Sequence, residues 1–243
     1  MKISNFNKNN IIRENIGQGI EGTVHLYNEN ETPVALKIFH TGKGYNTNDN
    51  KELKLIILKN ESILKDDIQL LNRMYSMGKF IGYTSVYEPY TPISYFDSKQ
   101  EKTKFLNLLL KRVQELNDHE IYIGDFYPNN FGFEVDRVKL FDIDNFRIND
   151  LNFNITNNVM REYIGKCNDI QNIDYFCFNW FALSLLSKIK VSTLLDGNFN
   201  GVPKNLKTEE ILDFYDGLKH INDSYVIKKE KDGKPKTLLN LIK

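Results

Sequence analysis

The chain has 243 residues, of which 41% are hydrophobic and 26% are charged; this predicts one domain, or one domain in two lobes, with a sizeable core. Lys plus Arg (32) balances Asp plus Glu (32), so no overall charge favours nucleic acid or an acidic membrane surface as a partner. No hydrophobic run approaches the ~20 residues of a membrane span. Two cysteines without an N-terminal secretory signal favour a reducing cytoplasm over a disulfide framework, and the four scattered histidines disfavour a zinc site.

The first ninety residues predict mostly β-strands followed by one helix. Short β-branched or hydrophobic runs lie at 10–17, 22–28 and 32–40, separated by turn residues, as in an antiparallel meander. The segment 48–60 predicts a helix with an Asn or Asp N-cap. Residues 68–90 predict two further strands around a Met-Gly turn, and a Glu-Pro pair ends the second strand.

The rest of the chain predicts mostly helix. Phe105, Leu109, Val113 and Leu116 recur at helical spacing, so a core-facing helix should run to about Asn117. The segment 174–189 is hydrophobic on all sides, which is typical of a buried helix. A smaller amphipathic helix is predicted over 208–220.

The sequence "IGQGIEGTV" places Gly17, Gly19 and Gly22 in a G-x-G-x-x-G-x-V pattern. In dinucleotide-binding folds a helix follows these glycines at once. Here a strand, a turn and another strand follow, so the glycines are expected at the tip of a hairpin. Such a hairpin can offer backbone N–H groups to phosphates, and a plain turn is the alternative.

Lys37 lies inside the hydrophobic strand "VALKIF". A buried ammonium without a partner costs several kcal/mol, so an inward-pointing lysine needs a carboxylate. Glu52, on the following helix, is the expected partner, and Glu61 is the second candidate.

The stretch "YIGDFYPNNFGFEVDRVKLFDIDNF" combines Asp125 with Asn130 five residues later and Asp142 twelve residues after that. Taken alone, Asp125 and Asn130 could form an Asx-turn in a polar loop. Together with the glycines and the strand lysine, they resemble the motif series of the eukaryotic-like protein kinases, in particular a bacterial and phage subgroup of kinase-like proteins. The resemblance covers roughly residues 10–190, in order and spacing.

This resemblance implies an ATP- and Mg²⁺-dependent phosphotransferase. Asp125 would orient the acceptor hydroxyl, while Lys37 and Glu52 would complete the catalytic set, and Asn130 and Asp142 would be the metal ligands. The buried helix would supply Asp174 as the anchor of the catalytic-loop backbone. Adenine would lie against the connection Glu88-Pro89-Tyr90 and the strand residues Ile16, Val24 and Ala35. The residues implied to bind the cofactor are therefore Gly17, Gly19, Gly22, Val24, Ala35, Lys37 and Glu88.

Three departures from the family pattern bear on regulation and acceptor. Ile123-Gly124 replaces the arginine-bearing pair before the catalytic aspartate, so activation by loop phosphorylation is not expected. Tyr127 stands where Ser/Thr kinases usually carry lysine. The D-F-G position is "DID", and Asp144 is left between two roles, a second Mg²⁺ ligand and a turn cap.

The expected fold is therefore α+β, a two-lobed kinase-like domain with a small antiparallel-sheet lobe (1–88) and a mostly helical lobe (89–243). The expected function is transfer of the γ-phosphate of ATP to Ser/Thr hydroxyls of protein substrates. A small-molecule kinase of aminoglycoside type and a pseudokinase acting as a binding module remain alternatives. A protein acceptor would need an open ledge formed by 147–173. The sequence does not indicate the oligomeric state, and it leaves open export into another cell as an effector.

Overall fold

The structure is a computed structural model, and it describes residues 1–19, 21–40, 49–65, 67–88, 91–134, 136–149, 151, 171–219 and 236–242. The architecture is mixed α and β, with a six-stranded sheet and several helices. The chain forms two compact units, of which the first comprises Met1–Tyr90 with Lys139–Asp144 and the second comprises Thr91–Val138 with Asn145–Lys243. Pro89 and Tyr90 of the expected connection, and 150 and 152–170 of the expected ledge, lie outside the described residues.

The first unit contains the six-stranded sheet. Its strands are β1 (Lys2–Asn5), β2 (Ile11–Gln18), β3 (Gly22–Glu29), β4 (Thr32–Phe39), β5 (Leu70–Ser76) and β6 (Lys79–Val86), in the order β1-β5-β6-β4-β3-β2. Neighbouring strands are antiparallel except β1, which pairs in parallel with β5. The expectation of a purely antiparallel sheet is wrong at this edge, because the short polar β1 gives no strand signal and joins through main-chain pairing.

The two faces of this sheet differ in chemistry. Tyr27, Val34, Leu36 and Met74 form a hydrophobic cluster. Residues one position away along a strand point to the opposite face, because side chains alternate with a period of two. Lys37 therefore points away from the cluster that contains Leu36.

Helix α1 (Asp49–Asn60) packs against β5 and β6. Its buried side chains are Lys51, Lys54, Leu55 and Leu58, a spacing that forms one stripe along the helix. The predicted turn between β5 and β6 is confirmed, since Met77 and Gly78 both have positive φ, at 49° and 74°.

The second unit is mostly helical. Its helices are α2 (Lys99–Asn117), α3 (Gln171–Ser187), α4 (Val191–Leu195), α5 (Glu209–Lys219) and α6 (Leu238–Leu241). Helix α2 begins with a capping box between Ser98 and Glu101 and ends at the predicted Asn117. The predicted helices over 174–189 and 208–220 correspond to α3 and α5.

Short strands complete the second unit. These are β7 (Thr91–Pro92), β8 (Ile121–Tyr122), β9 (Phe131–Glu134), β10 (Arg137–Leu140, whose last two residues belong to the first unit) and β11 (Arg147–Ile148). Strand β8 pairs antiparallel with β11, and β10, β9 and β7 form a three-stranded sheet in that order. Helix α2 packs against α3, and Phe105 meets Phe181 between them with ring centroids 6.5 Å apart. In the part of the chain that the structure describes, no helix has the length and hydrophobicity needed to cross a membrane.

Candidate functional site

The glycine pattern lies at the tip of the β2–β3 hairpin, as the sequence predicts. Gly17 pairs with Val24 across the two strands, and the N–H of Gly19 donates to the carbonyl of Gly22 at 2.9 Å. A Cβ at position 22 would lie 2.7 Å from the carbonyl oxygen of Ile38, so packing alone requires glycine there. A Cβ at Gly17 or Gly19 would meet its nearest neighbour at 3.5 or 3.9 Å, which is ordinary contact.

Lys37 is buried and pairs with two carboxylates. Its Nζ lies 2.8 Å from Asp142 Oδ1 and 2.8 Å from Asp144 Oδ1. Burial alone would lower the pKa of the Lys37 ammonium, but the two carboxylates raise it well above its ordinary value. The structure thus brings together the strand lysine and the aspartate that the sequence predicts as a metal ligand.

Asp144 is the most deeply buried member of this group, with no exposed surface. Its Oδ1 also accepts a hydrogen bond from the hydroxyl of Tyr83 at 3.1 Å, and its Oδ2 lies 2.8 Å from Lys51 Nζ. Burial alone would raise the pKa of the Asp144 carboxyl, but Lys37 and Lys51 lower it well below its usual range. Both oxygens of Asp144 therefore face protein donors, and the two roles left open for this residue, a second Mg²⁺ ligand and a turn cap, stay predictions.

The predicted pairing of Lys37 with Glu52 is wrong. Glu52 Oε1 instead lies 2.7 Å from Arg73 Nη1 and accepts a hydrogen bond from the Tyr75 hydroxyl. The reason is the helical phase of α1, whose buried stripe begins at Lys51, so that Glu52 is turned toward β5. The alternative partner Glu61 lies beyond the end of α1 and makes no side-chain capping bond to the 3₁₀ turn that follows it.

Two of the three strand residues expected around adenine, Val24 and Ala35, share the face of Lys37. Val24 lies opposite Lys37 in the β3–β4 register, and Ala35 precedes Lys37 by two residues, so all three side chains project to one side of the sheet. Val24 and Ala35 are half-buried. The Glu88 carboxylate accepts a hydrogen bond from Lys139, whose side chain is buried, so any contribution of Glu88 to adenine binding falls to its backbone.

In the second unit, Asp125 and Asn130 form a local hydrogen-bonded pair. Asn130 Nδ2 donates to the Asp125 carbonyl at 2.9 Å and to its Oδ2 at 3.3 Å. Both residues are buried. Tyr127 between them is exposed. The one-turn 3₁₀ segment Pro128–Asn130 carries Asn130 back toward Asp125.

Asp174 of α3 anchors the chain just before Asp125, as expected. Its Oδ2 accepts from the N–H of Ile123 at 2.9 Å, and its Oδ1 accepts from the N–H of Gly124 at 2.8 Å. Asn117, oriented so that its amide nitrogen faces acceptors, also donates to Asp174 Oδ2 at 3.0 Å. Gly124 has a φ of 68°, a conformation that favours glycine, so glycine fits the backbone at this position.

The two predicted metal ligands belong to different units, and each carries an oxygen of a type that can bind a hard cation. Mg²⁺ prefers oxygen ligands and is usually bound through one or two carboxylates together with phosphates and waters. Asp142 offers a carboxylate that is 36% exposed, and Asn130 has its Oδ1 without a partner among the described residues. No group of three or more His, Cys, Asp or Glu side chains arranged for a metal occurs among those residues.

Sequence reasoning missed three members of the first unit's cluster, namely Lys51, Lys54 and Tyr83. Glu21 Oε2 lies 2.6 Å from Lys51 Nζ. The sequence did contain a signal for the lysines, because the spacing of Lys51, Lys54, Leu55 and Leu58 places two lysines on the same helix face as two leucines.

No protein-family model matches this chain, and no curated protein is significantly similar to it. The resemblance to protein kinases therefore rests on the sequence motifs.

Proposed function

We propose that this protein is an ATP- and Mg²⁺-dependent phosphotransferase with a kinase-like two-lobed fold, and that it transfers the γ-phosphate to Ser/Thr hydroxyls of protein substrates. Phosphoryl transfer requires a protein to position the reactants and to neutralise phosphate charge. The proposal assigns nucleotide binding to the first unit and orientation of the acceptor to the second.

The observation that carries this proposal is the ion pair between Lys37 and Asp142. These residues are 105 positions apart in the chain and their charged atoms lie 2.8 Å apart. A phosphate-binding lysine and a metal-binding aspartate must lie close together, because Mg²⁺ and the lysine neutralise the same phosphates. A strand lysine without a binding partner would be expected to face solvent, yet Lys37 is only 5% exposed.

The glycine hairpin supports phosphate binding. Packing explains why position 22 is glycine, but it does not explain Gly17 and Gly19, where a Cβ would make only ordinary contacts. Close approach of a ligand to the backbone is one reason for glycine at such positions. Val24 and Ala35, on the face of Lys37, provide hydrophobic contact for adenine.

Asp125 is proposed to orient the acceptor hydroxyl, with Asn130 as a metal ligand. The bonds from Asn130 to Asp125 and from the neighbouring backbone to Asp174 hold this loop in one conformation. Mg²⁺, when bound, would neutralise charge on the transferred phosphate.

A nucleotide-binding module without transfer activity is the second candidate. It is favoured by the departure at Tyr127, an exposed residue where a lysine would otherwise face the transferring phosphate. Transfer to a small molecule stays an alternative for the acceptor.

The test is the Asp125→Ala variant, assayed with labelled ATP, Mg²⁺ and a cell lysate resolved into protein and small-molecule fractions. Because Asp125 would act mainly in the transition state, kcat should fall by at least ~100-fold, while ATP affinity stays near that of the wild type. Asp136→Ala is the control, since Asp136 is exposed and pairs with the exposed Lys104. Wild-type protein that binds ATP but transfers no more phosphate than Asp125→Ala would contradict the enzyme and favour the binding module.

A further inference from the structure

We infer that Lys51 is a second phosphate-binding side chain of the nucleotide site, and that Glu21 of the glycine hairpin occupies it until the polyphosphate of a nucleoside triphosphate replaces the carboxylate. This inference rests on the proposed function, because it concerns the same site. It adds a residue of α1 to the binding set.

The geometry places two ammonium groups side by side. Lys37 Nζ and Lys51 Nζ bind different oxygens of the single Asp144 carboxylate, each at 2.8 Å. Both also lie over the Phe39 ring, 5.5 Å and 4.6 Å from its centroid. Each lysine side chain is 6% exposed. Two adjacent, fixed ammonium groups form a suitable clamp for a chain of phosphates, which carries several negative oxygens in a row.

The carboxylates of the cluster differ in solvent exposure, and therefore in how readily a ligand anion can displace them from the lysines. Asp144 is completely buried, whereas Glu21 and Asp142 are 19% and 36% exposed. Asp142 is the proposed metal ligand. Glu21 lies between Gly19 and Gly22 at the hairpin tip, and among the described residues its carboxylate is bound by Lys51. Glu21 is therefore the partner that a ligand anion would displace.

The charge balance supports this exchange. The cluster contains three lysines (Lys37, Lys51 and Lys54) and three carboxylates (Glu21, Asp142 and Asp144), so the formal charges of these six groups cancel while Glu21 is in place. Lys54 is 1% exposed, with its Nζ 3.5 Å from the Asp144 carbonyl. Burial lowers the pKa of Lys54 to about 8, so most of its charge is present at neutral pH. Departure of Glu21 leaves one positive charge in excess, directed at the ligand.

A purely structural role for Lys51 predicts different behaviour. If Lys51 served only to neutralise Asp144, removing Glu21 would not alter binding of any anion. If Glu21 competes with phosphate for Lys51, removing its charge must strengthen binding.

The experiment is calorimetric titration of the full chain with ATP, sodium tripolyphosphate and adenosine. Lys51→Met should weaken binding of ATP and of tripolyphosphate by about tenfold, the scale for a partly desolvated charge-assisted contact, and should leave adenosine binding unchanged. Glu21→Gln should strengthen binding of both anions by about 3- to 5-fold, the scale of a partly exposed ion pair. Lys79→Met removes an exposed lysine of the β5–β6 hairpin and should behave as the wild type.

Each outcome separates this inference from the proposed function. ATP binding that is unchanged in Lys51→Met overturns the inference and leaves the proposed function standing. Wild-type binding of tripolyphosphate but not of ATP, with loss in Lys51→Met, supports the clamp and overturns the nucleotide assignment. If neither anion binds, both are overturned. If Lys51→Met loses its near-ultraviolet circular dichroism, it has not folded correctly and Glu21→Gln alone is the test. In that case, an affinity of Glu21→Gln for the two anions that is equal to or below that of the wild type overturns the inference.

Discussion

The buried lysines of the first unit include Lys37, Lys51 and Lys54, which are 5%, 5% and 1% exposed. Removing one partner of a buried ion pair costs about 3–5 kcal/mol, because the other charge is left without compensation. The carboxylates around these lysines are thus needed for stability in the absence of any ligand. A ligand anion that replaces Glu21 would leave no lysine of this group unpaired.

Asp174 gives the second unit a pH-dependent stability. Burial raises the pKa of its carboxyl to about 7, against the opposing effect of the N–H groups of Gly124 and Ile123. An unfolded aspartate titrates near ~4. Between these two pKa values the Asp174 carboxyl is protonated in the folded protein and ionised in the unfolded chain. Its contribution to the free energy of unfolding is therefore complete below pH ~4 and is lost as the pH rises to ~7. Asp174→Asn should remove this dependence, which amounts to about 1.4 kcal/mol per pH unit inside the window.

The measurement is urea unfolding between pH 4.5 and 8, followed through the fluorescence of Trp180, the single tryptophan of the chain, which is buried in α3. The free energy of unfolding of the wild type minus that of Asp174→Asn should decrease as the pH rises. A uniform offset between the two curves is expected from the altered hydrogen bonding. Curves that stay parallel across the range would show that Asp174 is ionised throughout.

At the scale of elements, the contact between β4 and β6 depends on Gly82. A Cβ at this position would lie 1.9 Å from the carbonyl oxygen of Lys37, a backbone atom that cannot move without breaking the strand pairing. Gly82→Ala should therefore destabilise the first unit by at least ~2 kcal/mol, on the scale of overpacked sites. Thermal unfolding monitored by circular dichroism measures the effect.

Gly217 in α5 provides the matched control, because a Cβ there would have no neighbour within 4 Å. Gly217→Ala should stabilise the protein by ~0.5–1 kcal/mol, since alanine loses less conformational freedom than glycine in a helix. Equal thermal midpoints for Gly82→Ala and the wild type would rule out the close strand approach.

Helix α1 shows how one element positions the site. Its buried stripe combines Leu55 and Leu58 with Lys51 and Lys54. Long lysine stems can cover hydrophobic surface while the ammonium reaches a distant partner. The helix therefore packs through its hydrophobic face, and the same face places the ammonium groups of Lys51 and Lys54 next to Asp144.

At the scale of the whole molecule, the first unit is discontinuous in sequence, because Lys139–Asp144 belongs to it. This segment supplies Asp142 and Asp144 to Lys37, and Lys139 to Glu88. A fragment ending at residue 90 would leave the buried lysines without these carboxylates. With losses of about 3–5 kcal/mol per unpaired charge against a typical stability of 5–15 kcal/mol, the fragment should show no cooperative thermal transition.

The corresponding control is the same fragment carrying Lys37→Met and Lys51→Met. Because methionine needs no carboxylate, this variant should regain part of the cooperative transition. A wild-type fragment that already melts cooperatively, near the midpoint of the full chain, would mean that 139–144 adds little to the first unit.

Local patterns predicted most elements correctly. The hydrophobic spacing of α2 and its capping residues determine a helix that ends at Asn117, and the Met-Gly turn fixes the β5–β6 hairpin. Strand β1 was missed because its four residues, KISN, carry no strand pattern of their own and form a strand only by pairing with the edge of β5. Periodicity and turn chemistry act within a few residues, whereas edge pairing needs the finished sheet.

The sequence by itself determined that Lys37 lies inside a strand, that the glycines lie at a hairpin tip, and that Asp125, Asn130 and Asp142 follow in a fixed spacing. Tertiary structure decided which charges meet. Glu52, the nearest predicted partner of Lys37, pairs with Arg73, while Asp142 and Asp144 come from more than a hundred positions away to reach Lys37. The physical reason is that an ion pair in a buried site depends on the distance between the two charges and on the burial of both partners. The rotation of a helix about its axis and the path of a distant segment set that distance.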